Sequence, residues 1–239
     1  MKFLKKIAII FFDIIDIYYH QKRIIKFIRK NNIKINLFFD IGSHMGTYSD
    51  LILKDFQNSN ILMFEPQVNI FKKIIKKYKN KKNIKIFNYA ISDKSTTKKF
   101  YINQHDLTSS LSSLDFKNNK YLQLKAKLFG TTSAGMILKK ERVKTKKLNQ
   151  IIKLKKIKRI DLAKIDTEGH ELEVLRGMKN SIKKIKYILI ELHNDKIYHT
   201  YNPKKIHSYL VKNNFLLKDT YKFPFTTWED RFYFNTKIK

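Results

Sequence analysis

Short apolar runs alternate with amphipathic stretches along the chain from about residue 36 onward. Apolar runs bounded by turn-forming residues predict buried strands, whereas apolar residues spaced three and four apart predict helices. The predicted strands of the first half are Leu37–Ile41, Ile61–Phe64 and Ile84–Tyr89, and the predicted helices between them are Tyr48–Phe56 and Val68–Tyr78. This strand–helix order predicts a parallel sheet with helices on both faces.

The same alternation returns in the second half. Strands are predicted at Ile160–Ile165 and Tyr187–Leu192, and helices at Glu171–Met178 and Pro203–Asn213. Proline fits the first helical turn, where its missing N–H costs little. Two last apolar runs, Phe215–Lys218 and Phe232–Phe234, predict a hairpin that puts an antiparallel strand at one side of the sheet.

Two regions fall outside this alternation. Apolar residues at helical spacing predict an N-terminal helix that caps the domain, with a helix on a membrane surface as the alternative; they are Leu4, Ile7, Phe11, Ile14 and Tyr18. Between Ser95 and Leu148 the pattern loosens, which indicates an insertion of strands and loops over the sheet edge. We therefore predict a helical cap over residues 1–33 and one α/β domain over residues 34–239, with an insertion around residues 95–148.

Composition narrows the classes of function. The 239-residue chain has no cysteine, which excludes disulfides, thiolate metal sites and cysteine nucleophiles. Its net charge of +31 is typical of nucleic-acid binding, but only six of the 51 basic residues are arginine, the residue that phosphate and base recognition favours. The lysines are also spread along the chain, so we interpret the charge as a solvated cationic surface and keep nucleic acid or an anionic membrane as alternative partners. The apolar run Ile7–Phe12 is too short to cross a bilayer, which takes about 20 residues, and we expect a cytoplasmic protein with at most peripheral membrane contact.

Two features near the first strands indicate a nucleoside-containing ligand. Glycines at Gly42 and Gly46 follow the first strand, where they allow a tight turn and close approach of a ligand. Glu65 ends the next strand, where an acidic side chain can accept two hydrogen bonds from a ribose diol. An ordinary tight turn is the structural alternative for the glycines.

Charge separates the two common ligands of such a site. A dinucleotide carries a pyrophosphate, which requires open backbone N–H groups and no nearby anion. Asp40 directly precedes the glycine loop and would repel a pyrophosphate, and the loop lacks the spacing G-x-G-x-x-G. S-adenosylmethionine has no phosphate and carries a sulfonium and an ammonium group, so the sequence favours it over NAD.

A third feature is a cluster of ionisable residues that follows the strand Ile160–Ile165. Ligands of open α/β sheets bind at the carboxyl ends of strands, and Asp166, Glu168 and His170 are predicted there. Stabilisation of the following helix by its N-terminal acids is the structural alternative. His193, at the end of the next strand, adds an imidazole at the same edge.

These motifs resemble the FkbM family of methyltransferases. The resemblance runs from about Leu37 to Leu192 and is carried by Asp40-Ile-Gly-Ser-His-Met-Gly46, Phe64-Glu-Pro66, Asn88-Tyr-Ala-Ile-Ser-Asp93, Ser109-Ser-Leu111 and Lys164-Ile-Asp-Thr-Glu-Gly-His-Glu-Leu-Glu-Val-Leu-Arg-Gly177. It implies a Rossmann-like class I methyltransferase fold, S-adenosylmethionine as methyl donor, and a hydroxyl of a sugar, glycan or small natural product as acceptor.

The resemblance also implies roles for single residues. The amino-acid end of the cofactor is expected at Asp40, Gly42, Ser43 and Gly46, the ribose at Glu65 and Pro66, and the adenine at Ala90. Asp166 is expected where the methyl group faces the acceptor. Ser43, His44 and Met45 are bulkier than the small residues usual in this loop, which leaves the cofactor contacts open there.

Methyl transfer from a sulfonium requires the protein to position the acceptor and remove its proton. We expect Asp166, His170 or Glu168 to be the base, with His193 a weaker candidate. No metal is predicted, although Asp166, Glu168 and Glu191 could supply oxygen ligands to a divalent cation. RNA ribose methylation and a non-catalytic scaffold remain the alternative functions, and the oligomeric state is open.

Overall fold

The structure, a computed structural model, describes residues 16–103, 108–116, 119, 122–124, 126, 131–132, 134–195, 197–199, 201–224 and 226–238. Of the N-terminal helix predicted from Leu4 to Tyr18, the part before Asp16 lies outside these residues. The α-helices that the structure describes from end to end are α1 (Lys22–Lys30, after a π-helical turn at Asp16–Gln21), α2 (Thr47–Asp55), α3 (Val68–Lys77), α4 (Leu148–Leu154), α5 (Glu171–Met178) and α6 (Pro203–Lys212), and 3₁₀ helices lie at Ala134–Met136 and Lys179–Lys184. The strands are β1 (Leu37–Ile41), β2 (Asn60–Phe64), β3 (Ile84–Phe87), β4 (Ala90–Ile91), β5 (Thr96–Asn103), β6 (Ile137–Lys146), β7 (Ile160–Ile165), β8 (Ile185–His193), β9 (Phe215–Lys222) and β10 (Trp228–Asn235).

Seven strands form one sheet in the order β3-β2-β1-β7-β8-β10-β9. Strands β3, β2, β1, β7 and β8 are parallel to one another, and β10 is antiparallel to both β8 and β9. The chain runs outward from β1 to β3 and then crosses to β7 on the other side of β1. The reversal of strand order therefore lies between β1 and β7, where α/β sheets bind ligands outside the carboxyl ends of their strands.

Helices cover both faces of this sheet. Residues such as Ile52, Ile74 and Ile28 bury α2, α3 and α1 against one face. Val174 and Leu210 bury α5 and α6 against the other face, together with α4. The predicted α/β class with a mostly parallel sheet, helices on both faces and an antiparallel C-terminal strand is confirmed.

A second sheet of three strands, in the order β4-β6-β5, lies where the sequence pattern loosens. β5 and β6 pair antiparallel, and β4 pairs parallel with β6. β6 buries little beyond Val143 and Thr145, because most of its other side chains are lysines or arginine facing solvent. Such a strand has no apolar run for sequence reasoning to detect.

Helix and strand ends in the main sheet follow recognisable signals. Asn202 caps α6 by accepting a hydrogen bond from Lys205 N at 3.0 Å, and Pro203 occupies the first helical turn, as predicted. The predicted strand Ile160–Ile165 and helix Glu171–Met178 agree with the structure at both ends. No helix among the described residues combines the length and apolar character needed to span a membrane.

Candidate active site

The glycine loop joins the carboxyl end of β1 to α2 through backbone conformations that glycine favours. Gly42 and Gly46 have φ of +80° and +75°. A Cβ atom at Gly42 would lie 1.7 Å from the carbonyl oxygen of Asp166, so only glycine fits between the ends of β1 and β7. Gly42 N and Ser43 N both donate to Phe64 O, at 3.0 and 3.2 Å, which fastens the loop to β2.

Glu65 directly follows β2 and turns back toward this loop. Its carboxylate accepts hydrogen bonds from His44 N at 2.9 Å and from Gln67 N at 2.7 Å. Burial raises the pKa of Glu65 to about 7, although the backbone hydrogen bonds act in the opposite direction. Asn88 holds the turn by donating to the carbonyls of Glu65 and Pro66, each at 3.0 Å.

Asp40 lies in β1 beneath the glycine loop and is 3% exposed. Ser49 Oγ donates to its Oδ2 at 2.6 Å. Burial raises the pKa of Asp40 to about 6, while Ser49 and the Lys164 ammonium oppose the shift. The side chain is thus directed into the protein and does not line the cleft.

A buried lysine lies between carboxylates at the edge of the sheet where β7 ends. Lys164 Nζ lies 3.1 Å from Asp230 Oδ1 and 3.3 Å from Asp166 Oδ2. Burial alone would lower the pKa of Lys164, but these two carboxylates outweigh it and raise the pKa. Asp230 also accepts hydrogen bonds from His20 Nε2 at 3.0 Å and from Tyr48 OH at 2.9 Å.

The partners of Asp230 keep this carboxylate ionised. Burial would raise its pKa, yet Lys164 and His20 hold the pKa of Asp230 at about 2. The ring of Trp228 packs edge-on against His20 with 4.9 Å between centroids, so an aromatic side chain closes the network on one side.

Asp166 faces the cleft from the end of β7. Its backbone N–H donates to Ile41 O at 3.0 Å, and its side chain keeps 30% exposure. Partial burial raises the pKa of Asp166, Lys164 opposes this shift, and Glu168 adds to it. A carboxylate that is exposed to the cleft and has a raised pKa is suited to accept a proton.

Hydrogen bonds to Glu171 and Ser110 hold the loop between β7 and α5 in place. Glu171 Oε1 accepts hydrogen bonds from Thr167 N, Thr167 Oγ1 and Gly169 N at 3.0, 3.0 and 3.1 Å. Ser110 Oγ donates to the carbonyls of Thr167 and Glu168 at 3.1 and 2.6 Å. The Ser-Ser-Leu motif therefore fixes the loop that carries the acids.

Glu168, Glu191 and His193 meet beside this loop. His193 Nε2 lies 3.3 Å from Glu168 Oε2 and 3.5 Å from Glu191 Oε1. Tyr198 OH donates a hydrogen bond to Glu168 Oε2. Burial raises the pKa of Glu191 well above its usual range, and Asp166 adds to the shift.

His170 begins α5 on the opposite side of the loop. Its Nε2 lies 2.9 Å from Ser92 Oγ, and its side chain is 9% exposed. Burial and the nearby Lys98 ammonium lower the pKa of His170 to about 3. The ring is therefore neutral at physiological pH and a weak base.

These elements enclose a cleft at the reversal of strand order. Of the residues predicted as sites, those that line it are Gly42, Glu65, Pro66, Ala90, Asp166, Glu168 and His170. The remaining three, Asp40, Ser43 and Gly46, lie outside the lining. Sequence reasoning missed Asp230, Tyr48 and His20. Asp230 has one sequence signal, a charge in the otherwise apolar pattern of β10, whereas Tyr48 in α2 and His20 in the π-helical turn have none.

The comparisons with known proteins concern most of the chain. A sequence model of the methyltransferase FkbM domain matches residues 40–217. The hexuronic acid methyltransferase AglP of Haloferax volcanii is 21% identical over 173 residues, which cover 72% of this chain and 62% of AglP. The match thus spans less than two thirds of that relative.

Two solved structures superpose on this chain to different degrees. An S-adenosylmethionine-dependent methyltransferase from Clostridium acetobutylicum superposes with a TM-score of 0.51 at 10% identity, over 97% of this chain and 98% of that one. A methyltransferase from Aquifex aeolicus has a TM-score of 0.49 at 9% identity, over 93% of each chain. The first of these likenesses agrees with the fold class derived from the strand order.

Proposed function

Because the chain belongs to the FkbM methyltransferase family, we propose that it transfers a methyl group from S-adenosylmethionine to a hydroxyl oxygen of a sugar or glycan. S-adenosylmethionine is the methyl donor of this family. The observation that carries the proposal is the row of carboxylates at the carboxyl ends of β1, β2, β7 and β8, in a chain with 51 basic and 20 acidic residues. The name of the Haloferax relative, a hexuronic acid methyltransferase, supports a sugar as the acceptor.

The residues around the glycine loop suit this cofactor. Each oxygen of a carboxylate can accept two hydrogen bonds, and each oxygen of Glu65 uses one for a backbone N–H. Glu65 can therefore still accept both hydroxyls of a ribose, with Pro66 and Ala90 beside the base.

Asp40 acts through the loop and not by direct contact in this proposal. Its carboxylate fixes Ser49 in α2 and adds negative potential below the site. A cationic donor is favoured by such potential, whereas a pyrophosphate is repelled by it.

The bound sulfonium supplies an activated methyl group, and the protein has to orient the acceptor and remove its proton. Asp166 is the proton acceptor of this proposal because its carboxylate is exposed to the cleft at 30% and is held in place by Lys164. Glu168 lies two residues further on and orients the acceptor hydroxyl. His170 positions the loop through Ser92, since its lowered pKa makes it a weak base.

Calorimetry with S-adenosylhomocysteine and with NADH tests the cofactor. We expect the first to bind and the second not to bind. Binding of NADH alone would contradict the proposal, and binding of neither would favour a non-catalytic scaffold.

Transfer of labelled methyl groups tests the acceptor and the base. Uronic acids, hexoses and oligosaccharides are offered as acceptors, with RNA as the competing substrate. Asp166→Asn is expected to lower the rate by about 10²-fold or more while S-adenosylhomocysteine affinity changes little. Glu141→Gln, which removes a carboxylate of the second sheet, is the matched control and should keep the wild-type rate. An unchanged rate in Asp166→Asn, or transfer to RNA but to no sugar, would overturn the assignment.

A further inference from the structure

Three potential metal ligands converge at the end of β8. One atom each from Glu168, Glu191 and His193 lies within 4.8 Å of the others. Glu191 and His193 project from β8, and Glu168 comes from the loop after β7. The strand order fixes this meeting because β7 and β8 are adjacent and parallel.

The distances suit a shared ion better than direct hydrogen bonds. His193 Nε2 lies 3.3 and 3.5 Å from the two carboxylate oxygens, whereas a charged N–H···O hydrogen bond measures about 2.7–2.9 Å. Two ligand atoms that are each about 2.1 Å from one ion are separated by about 3.0–3.4 Å at octahedral or tetrahedral angles. A small movement of side chains would place all three atoms around one ion.

The surroundings of His193 also indicate a ligand. Its side chain is 7% exposed, Nδ1 has no hydrogen-bond partner among the described residues, and Nε2 approaches the two carboxylates without a well-aligned hydrogen bond. A buried imidazole without hydrogen bonds carries a desolvation cost. A metal ion on Nε2 would offset that cost.

We propose that Glu168, Glu191 and His193 bind one divalent cation of the Mn²⁺ class. One imidazole and two carboxylates form a mixed nitrogen and oxygen set. This set suits Mn²⁺ better than Ca²⁺, because Ca²⁺ prefers oxygen ligands only. Asp166, a ligand candidate in the sequence, is replaced by His193 in this set because its Oδ2 faces Lys164. Tyr198 orients Glu168 from outside the set.

The role of the ion rests on the proposed function. Glu168 lines the cleft next to Asp166, so an ion on Glu168 is within reach of the acceptor. A cation that coordinates the acceptor hydroxyl makes its proton more acidic. The proton passes to Asp166 as the oxygen attacks the methyl carbon, and the carbon–sulfur bond breaks to leave neutral S-adenosylhomocysteine.

Metal binding is measured directly on the full chain after treatment with EDTA and gel filtration. Electron paramagnetic resonance of added Mn²⁺ is expected to show one site per chain. The isosteric variant Glu191→Gln and the variant His193→Gln are expected to weaken binding by at least about 10-fold. Glu141→Gln is the control for nonspecific binding to carboxylates and should bind Mn²⁺ like the wild type.

Circular dichroism and S-adenosylhomocysteine calorimetry on each variant separate metal loss from misfolding. Folded variants that bind S-adenosylhomocysteine but have lost Mn²⁺ support the site. Wild-type protein that binds S-adenosylhomocysteine but neither Mn²⁺ nor Zn²⁺ would overturn the metal site and leave the proposed function intact. Mn²⁺ binding that survives both substitutions would also overturn it. Mn²⁺ binding without S-adenosylhomocysteine binding would keep the site and refute the proposed function.

Discussion

Replacement of Lys164 by methionine tests the electrostatic centre of the site. Methionine fills similar space but leaves Asp230 and Asp166 without their shared cation. Removing one partner of a buried ion pair costs about 3–5 kcal/mol, because the other charge stays buried and uncompensated. Asp230 keeps hydrogen bonds from His20 and Tyr48, and Asp166 is 30% exposed, so we expect a loss near the lower limit, about 3 kcal/mol.

Urea unfolding followed by circular dichroism measures this loss. At the size of this chain, a loss of about 3 kcal/mol corresponds to a fall in Tm of about 6–12 °C. The double variant with Lys164→Met and Asp230→Asn should recover about 2 kcal/mol, since it removes the orphaned charge. Lys85→Met, at an exposed position of β3, is the control and should stay within about 0.5 kcal/mol of the wild type.

The stability difference between the wild type and Lys164→Met should also depend on pH, in a direction that the pKa of Asp230 sets. The lowered pKa of Asp230 means that its contribution to stability is complete above about pH 4 and is lost as the pH falls toward 2. Without Lys164 the pKa of Asp230 rises, so the carboxyl becomes neutral in the folded variant at mildly acidic pH. The difference between wild type and Lys164→Met should therefore shrink between about pH 7.5 and pH 4.5. A difference below about 1 kcal/mol at pH 7.5, or one that grows on acidification, would refute the reasoning.

Three further predictions concern the loops around the cleft. Gly42→Ala should lower the free energy of unfolding by about 3 kcal/mol, since it combines a positive φ with a Cβ atom against the Asp166 carbonyl; chemical denaturation measures it, and a loss below about 1 kcal/mol would contradict the contact. S-adenosylhomocysteine should bind more tightly as the pH rises through about 7, where free Glu65 loses its proton, and calorimetry should find this dependence absent in Glu65→Gln. Glu171→Ala should cost about 2–4 kcal/mol by releasing two loop N–H groups, whereas Glu171→Gln keeps an accepting oxygen and should cost under about 1 kcal/mol in the same unfolding assay; equal losses would show that the hydrogen bonds do not stabilise the loop.

The parallel part of the fold could be predicted from the sequence because its strands are buried on both faces. β2 is the clearest case, because Ile61–Phe64 is a continuous apolar run and all four residues are buried. The final hairpin was predicted at its apolar cores only, and the structure extends it to Phe215–Lys222 and Trp228–Asn235. The charged residues Glu229 and Asp230 interrupt the apolar pattern, so they were not predicted as part of a strand. In the structure both are buried and belong to β10.

The site was predictable in part for the same reason. Residues that follow a predicted parallel strand, such as Gly42, Glu65 and Asp166, share one edge of the sheet whatever the details of packing. Contacts between distant segments leave no local pattern. Asp230 reaches Lys164 and His20 only because β10 inserts between β8 and β9. The helix α4 was not predicted for a different reason: its seven residues are too few to show a helical period.

The position of Trp228 gives the site an optical reporter. It is the only tryptophan of the chain, and its ring contacts His20, which in turn bonds to Asp230 and so connects to Lys164. The indole emission of the native protein therefore arises from one known place, two side chains away from the buried ammonium. A ligand or substitution that rearranges the carboxylates around Lys164 should change the intensity or wavelength of the fluorescence, and no label has to be attached.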